Sequence, residues 1–183
     1  DWIAFHVEHD YLEHWRNYRR ALKQRNAALK AVGRGLSAWD AEILELGARV
    51  DAVRRRVLER SLPALLAQGE ALLGSRVGFE YAPGWASEKS FAEALESSLE
   101  RDLAQGTTHI GPHRADLRLL HDERQARKLV SRGQQKLLAS AMILAASQIV
   151  QASIGRPLVL LLDDPAAELD TRSLLRGPIV IHS

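Results

Sequence analysis

Leu158-Val159-Leu160-Leu161-Leu162-Asp163-Asp164 is the stretch on which the fold turns. An unbroken apolar run, bounded by Pro157 and by two acids, reads as a strand buried on both faces of a parallel sheet. The fold class that follows is α/β. Two adjacent carboxylates at the end of such a strand repel each other unless a cation meets them. A hard divalent cation such as Mg²⁺, which prefers oxygen ligands, suits that place. An apolar strand running into two acids also occurs by chance, so the stretch needs company before it signifies a site.

That company lies upstream. Ser131-Arg132-Gly133-Gln134 opens a Leu/Ala/Ile-rich segment that predicts a helix from about Gln134 to Ala152. A Ser there reads equally as an ordinary N-cap or as part of an anion site, where free N–H groups and the helix dipole attract phosphate. Beyond the two acids stand Glu168-Leu169-Asp170.

Further toward the N-terminus the pattern is helical. Tyr11 to Ala31 holds no Gly or Pro, with Trp15, Leu22 and Leu29 at intervals of seven and Tyr11 and Tyr18 in step with them. Gly33 and Gly35 end this helix, and Ser37 is the expected N-cap of the next. Ile43, Leu46, Val50, Val53 and Val57 follow a 3-4 rhythm, so the two helices are expected to pair as an antiparallel hairpin. Pro63 either ends or kinks the second helix, and Leu65, Leu66, Leu72 and Leu73 offer a continuation. Val77, Phe79 and Tyr81 alternate as a strand, Pro83-Gly84 marks a turn, and Ser90 with Glu93 has capping-box spacing ahead of Phe91, Leu95 and Leu99. Leu117 and Leu119 predict another strand. The expected division is 1–75 as a helical arm and 76–183 as a second domain.

Composition excludes several classes. No window is apolar enough to span a membrane. Cysteine is absent, which removes disulfides and thiolate metal sites and fits a reducing, cytoplasmic setting. The net charge is +2, yet Arg16, Arg19, Arg20, Lys23, Arg25, Lys30 and Arg34 follow one another with no acid between them, and His14 stands just ahead. Such a run is either a solvated helix face or a surface for phosphates.

Taken together these stretches resemble the RecF family of ABC/SMC-type ATPases. The order Ser-x-Gly-Gln, helix, apolar strand with two acids, and Glu-Leu-Asp matches the signature, Walker B and D-loop series of that class. Leu22-Lys-Gln-Arg-Asn-Ala-Ala-Leu29, Gly111-Pro-His-Arg-Ala-Asp116 and Val130-Ser-Arg-Gly-Gln134 resemble segments of RecF itself. The resemblance covers roughly residues 1 to 172 and implies the C-terminal part of an ATPase lobe carrying an inserted α-helical hairpin arm.

It also implies roles. Ser131, Arg132, Gly133 and Gln134 would contact ATP held by a second protomer, in an ATP-dependent homodimer. Asp163 would hold Mg²⁺, Asp164 would be the catalytic base or water positioner, and Glu168, Leu169 and Asp170 would form the D-loop. The parent would bind single-stranded, gapped and double-stranded DNA. It would work with RecR and RecO to load RecA, in gap repair and the SOS response. DNA contact is expected from Arg16, Arg19, Arg20, Lys23, Arg25 and Lys30.

The Walker A pattern Gly-x-x-x-x-Gly-Lys-[Ser/Thr] is absent from the chain. A piece of a longer protein, inactive alone and binding neither ATP nor Mg²⁺ by itself, is therefore expected. The competing expectation is a helical-arm fragment, structural or partner-binding, with silent ATPase motifs. Gly111-Pro-His113-Arg114-Ala-Asp116 has no role derivable from the sequence: His113 and Arg114 either face phosphate or are a satisfied structural His beside a surface Arg. His109 and His113 suggest metal ligation only if the turn between them allows it. His182 sits in an irregular tail where only eight residues part Asp170 from Ile179.

Overall fold

Helix formation follows the apolar periodicity. α1 spans Trp2–Val7, α2 Tyr11–Lys30 and α3 Leu36–Leu73. The computed structural model describes residues 1–31, 34–73, 76–121, 124–125 and 132–159. β1 (Val77–Ala82), α4 (Phe91–Ser97), α5 (Leu99–Gln105), a 3₁₀ turn at Pro112–Arg114, β2 (Asp116–His121), β3 (Arg124–Gln125) and α6 (Arg132–Ile154) complete the described elements. The three strands form one sheet in the order β1-β2-β3, with β3 antiparallel to β2.

The chain divides into two compact units, residues 1–57 with 81–117 and residues 58–80 with 118–183. The breaks fall after residues 57, 80 and 117, so α4, α5 and the 3₁₀ turn lie with the first helices, and residues 58–73 of α3 lie in the second unit. Within the first unit α2 and α3 run antiparallel. Arg25 bonds Asp40, the Tyr18 ring faces Gly47, and Tyr11 bonds Arg54, so each seven-residue step back along α2 is matched by seven forward along α3. The seam buries Tyr11, Tyr18, Ala21, Ile43, Val50, Val53 and Val57, and Phe91 and Leu95 of α4 close over it. Fully burying each large aliphatic contributes roughly 1.5–3 kcal/mol. Gly47 lies where a Cβ would sit 2.5 Å from Phe91 and 3.3 Å from Tyr18, so the approach of these rings requires glycine.

Local signals explain the ends of elements. Ser90 accepts from the Glu93 amide at 3.2 Å and the Glu93 carboxylate accepts from the Ser90 amide at 2.8 Å, the expected capping box. Ser37, expected to cap α3, instead lies inside its first turn, since the helix already begins at Leu36. α3 also runs through Pro63. Proline there removes one backbone donor, and the buried Leu65 beyond it keeps the helix packed. Leu99 belongs to a separate short helix and packs with Ala28, Leu29, Leu36 and Trp39.

In the second unit, Leu65, Val77, Ala145 and Val150 are buried, and Gly69 lets α3 lie directly on Val77. α6 contains the helix expected from 134 to 152. Of the expected strand 158–162, Leu158 and Val159 are in no strand, and Val159 is 85% exposed. No strand among the described residues pairs with them, and burial on both faces requires such neighbours. Residues 160–162 lie outside the described residues.

Candidate functional site

The side chain that organises the first unit is Arg25, which is 0% exposed. Its position follows from helical periodicity: Tyr11, Tyr18 and Arg25 occupy the same stripe of α2, facing inward. The Arg25 Nε–H donates to Asp40 Oδ1 at 2.7 Å, and Nη1 donates to Asp102 Oδ2 at 2.7 Å and to Thr108 Oγ1 at 2.8 Å. Asp102, itself 0% exposed, also accepts from Ser98 Oγ and from both the backbone and the ring Nδ1–H of His109. Asn26 Oδ1 takes the Thr108 amide at 2.8 Å and its hydroxyl at 2.6 Å. Arg25 is therefore removed from the expected DNA-contact set, because its guanidinium is committed to buried carboxylates and cannot reach phosphate.

This network extends into the Gly111-Pro-His-Arg segment. His113 Nε2–H donates to the Thr108 carbonyl at 3.0 Å, which leaves Nδ1 to accept from the Tyr18 hydroxyl at 2.7 Å. Burial is the chief cause of a depressed His113 pKa, so the ring is neutral in this tautomer. Burial likewise pushes the Tyr18 hydroxyl far above its usual range. Arg54 Nη1 donates to the Pro112 carbonyl at 2.6 Å, while its Nε and Nη2 grip Asp1. Gly111 adopts φ +136, and a Cβ there would lie 2.6 Å from the Tyr18 oxygen, so the turn requires glycine. With both His113 nitrogens engaged, His109 and His113 do not form a metal pair. Among the described residues no group of three potential ligands gathers.

The remaining basic residues differ sharply from Arg25. Arg16, Arg19, Arg20, Lys23 and Lys30 are exposed, and none forms an ion pair among the described residues. Arg16, Arg20, Lys23 and Lys30 share one face of α2 at spacings of three, four and seven. Arg19 lies one step round and rests over the Trp15 ring at 5.8 Å. A surface of this kind presents several unneutralised cations to an anionic polymer.

Of the residues expected to contact nucleotide, Arg132, Gly133 and Gln134 begin α6, a helix of 23 residues, so their amides lie in a first turn that lacks intrahelical acceptors. Ser131, Asp163, Asp164, Glu168, Leu169, Asp170 and His182 lie outside the described residues.

No family profile matches the chain. The DNA replication and repair protein RecF of Thioalkalivibrio sulfidiphilus is 42% identical over 175 residues, 94% of this chain and 49% of that protein. The chain belongs to the RecF family. RecF of a Marinomonas species is 41% identical over 174 residues, covering 93% of the chain and 47% of that protein. A solved structure described as the recombination mediator protein RecF-ATP in the RecFOR pathway superposes with a TM-score of 0.81 at 26% identity. It spans 91% of this chain and 48% of that one. The chain thus spans about half the length of the RecF relatives it matches. The buried Arg25 and Gly111-Pro-His-Arg networks therefore belong to a RecF fold. Asp102 and Thr108, which no sequence pattern singled out, are buried, and Asn26, which stood only within the Leu22–Leu29 stretch, is half-buried beside them. The advance signal for a buried polar partner was Arg25 falling on the Tyr11–Tyr18 stripe of α2.

Proposed function

We propose that this chain is the part of a RecF-type DNA repair ATPase that supplies the signature and Walker B groups of the nucleotide site and a basic DNA-facing helix. The single observation that carries the reading is identity of 42% across 94% of the chain with a DNA replication and repair protein. The fold likeness to RecF-ATP supports the nucleotide half of it. In this reading the α6 start, with Ser131, Gly133 and Gln134, faces phosphates of ATP bound by a second copy, where free amides suit an anion. Asp163 is the oxygen donor for Mg²⁺, which neutralises charge on the transferring phosphate. Asp164 orients the attacking water, and Glu168 to Asp170 couple the two sites.

The whole protein acts in the cytoplasm at DNA gaps and junctions, with RecR and RecO, so that RecA is loaded and the SOS response is supported. The ATP-dependent dimer is the DNA-bound form. The 1–75 segment serves as the helical arm inserted in the ATPase lobe, and its antiparallel α2–α3 seam suits that role. Arg16, Arg19, Arg20, Lys23 and Lys30 meet DNA phosphates.

The test uses the full-length protein that carries this sequence. Arg16→Gln, Arg20→Gln and Lys23→Gln combined should flatten the dependence of log affinity on log salt by about 2–3 units for gapped duplex, given about 0.9 per lost phosphate contact. Because these side chains are exposed, folding should be unaffected. An unchanged affinity and salt slope would remove the basic face from the DNA interface.

A further inference from the structure

Arg114 stood outside the expected DNA-contact set, although the sequence left open that it faces phosphate, and its setting is unlike that of an ordinary surface arginine. It is exposed and has no acidic partner among the described residues. Its backbone, by contrast, is fixed from several sides. The Arg114 amide bonds the Gly111 carbonyl at 2.9 Å, and the Gly111 amide bonds the Gly84 carbonyl at 3.2 Å. Pro112 is buried and its carbonyl is held by Arg54. His113 is pinned between Tyr18 and Thr108. An exposed cation thus stands at the end of an immobilised turn.

The same hydrogen bond that pins His113 determines what lies near Arg114. Tyr18 reaches His113 from α2, so the residues that follow each partner, Arg19 and Arg114, emerge on the surface around one joint. Burial is the main cause of the lowered His113 basicity, opposed by its bond to Thr108; the charges of Arg114 and Arg19 then both add to the lowering, opposed by Asp102. The link between the two segments is the 2.7 Å bond from the Tyr18 hydroxyl to His113 Nδ1, each partner being followed in sequence by an exposed arginine. Arg19 is held in turn by the face of Trp15. Two exposed guanidiniums with no ion-pair partner among the described residues form a receptor for phosphate oxygens, which planar N–H forks fit well.

We propose that Arg114 of the Gly-Pro-His-Arg turn, together with Arg19 of α2, forms a preset phosphate clamp that grips the DNA backbone beside the basic face of α2. The proposal rests on the DNA-binding reading above and adds to it a residue and a structural purpose. The buried Arg25–Asp102–Thr108–His113 chain holds the backbone that carries Arg114 in place, so the turn itself need not be ordered on binding.

The experiment compares the full-length protein with Arg114→Gln, with Arg19→Gln/Arg114→Gln, and with the Arg16/Arg20/Lys23 triple variant. Gapped-duplex affinity is measured across a salt series and the KM for ATP in parallel. Arg114→Gln should lower the salt slope by about 1 and the double variant by about 2, from about 0.9 per phosphate contact. The KM for ATP should not move. A normal slope in the Arg114 variants, alongside a reduced one in the triple variant, overturns the clamp and leaves the DNA-binding helix standing. Normal slopes in all three overturn both. A raised KM for ATP with a normal DNA slope assigns the phosphate to the nucleotide and also overturns the proposal.

Discussion

Replacing Arg25 by Met should lower the unfolding free energy of the protein by about 3–5 kcal/mol, the usual cost of breaking a buried ion pair from one side. The reason is what remains behind. Asp102 is 0% exposed and would keep its charge facing a methionine, while Thr108 Oγ1 would lose one of its two partners. Asp40, whose side chain is 30% exposed, can recover water and adds less. A lysine at the same place keeps the charge but not the fork that spans Asp40, Asp102 and Thr108, so Arg25→Lys should recover only part of the loss. Arg20→Met, five residues away and exposed, is the matched control and should change stability by no more than about 0.5 kcal/mol. Chemical denaturation of the three variants decides the matter. If Arg25→Met and Arg20→Met are equivalent, the buried network is not what secures the segment from Ser98 to Arg114.

The second large effect concerns ATP turnover. In the full-length protein, Asp164→Asn should slow hydrolysis by about 10²–10⁴-fold, the usual contribution of a positioned acid–base group. Ser131→Arg should also abolish turnover, by placing bulk and positive charge where the signature segment is proposed to meet ATP. The two defects are expected in different protomers of one site, and that makes mixing informative. A mixed dimer holds one site with both defects and one with neither. Equimolar mixing of the two inactive variants should therefore restore about a quarter of wild-type turnover, as only half of the randomly formed dimers are mixed and each has one intact site. No recovery on mixing would place Ser131 and Asp164 in the same protomer's site, or in no site.

What the sequence disclosed divides by the range of the interaction. The capping box of Ser90 and Glu93 was legible because its partners are three residues apart. The α2–α3 seam was legible because apolar periodicity records which face of a helix is buried. Arg25 was misassigned although its place on the Tyr11–Tyr18 stripe was visible. A run of basic residues was treated as one surface, and charge alone does not report orientation. Its carboxylate Asp102 is 77 residues away, and the His113 partner Tyr18 is 95 away. Pairings at that distance have no local signature. The passage of α3 through Pro63 had a similar cause. One missing backbone hydrogen bond is outweighed by the packing on either side, and packing is not a property of the proline's neighbours in sequence.

The central claim is that this chain belongs to an ATP-gated DNA-binding machine. Its most direct test is the affinity of the full-length protein for a gapped duplex, with and without ATP, for the wild type and Asp163→Asn. ATP should tighten binding in the wild type, and the substitution should erase that gain while leaving the nucleotide-free affinity unchanged. Equal affinity with and without ATP in the wild type would contradict the account.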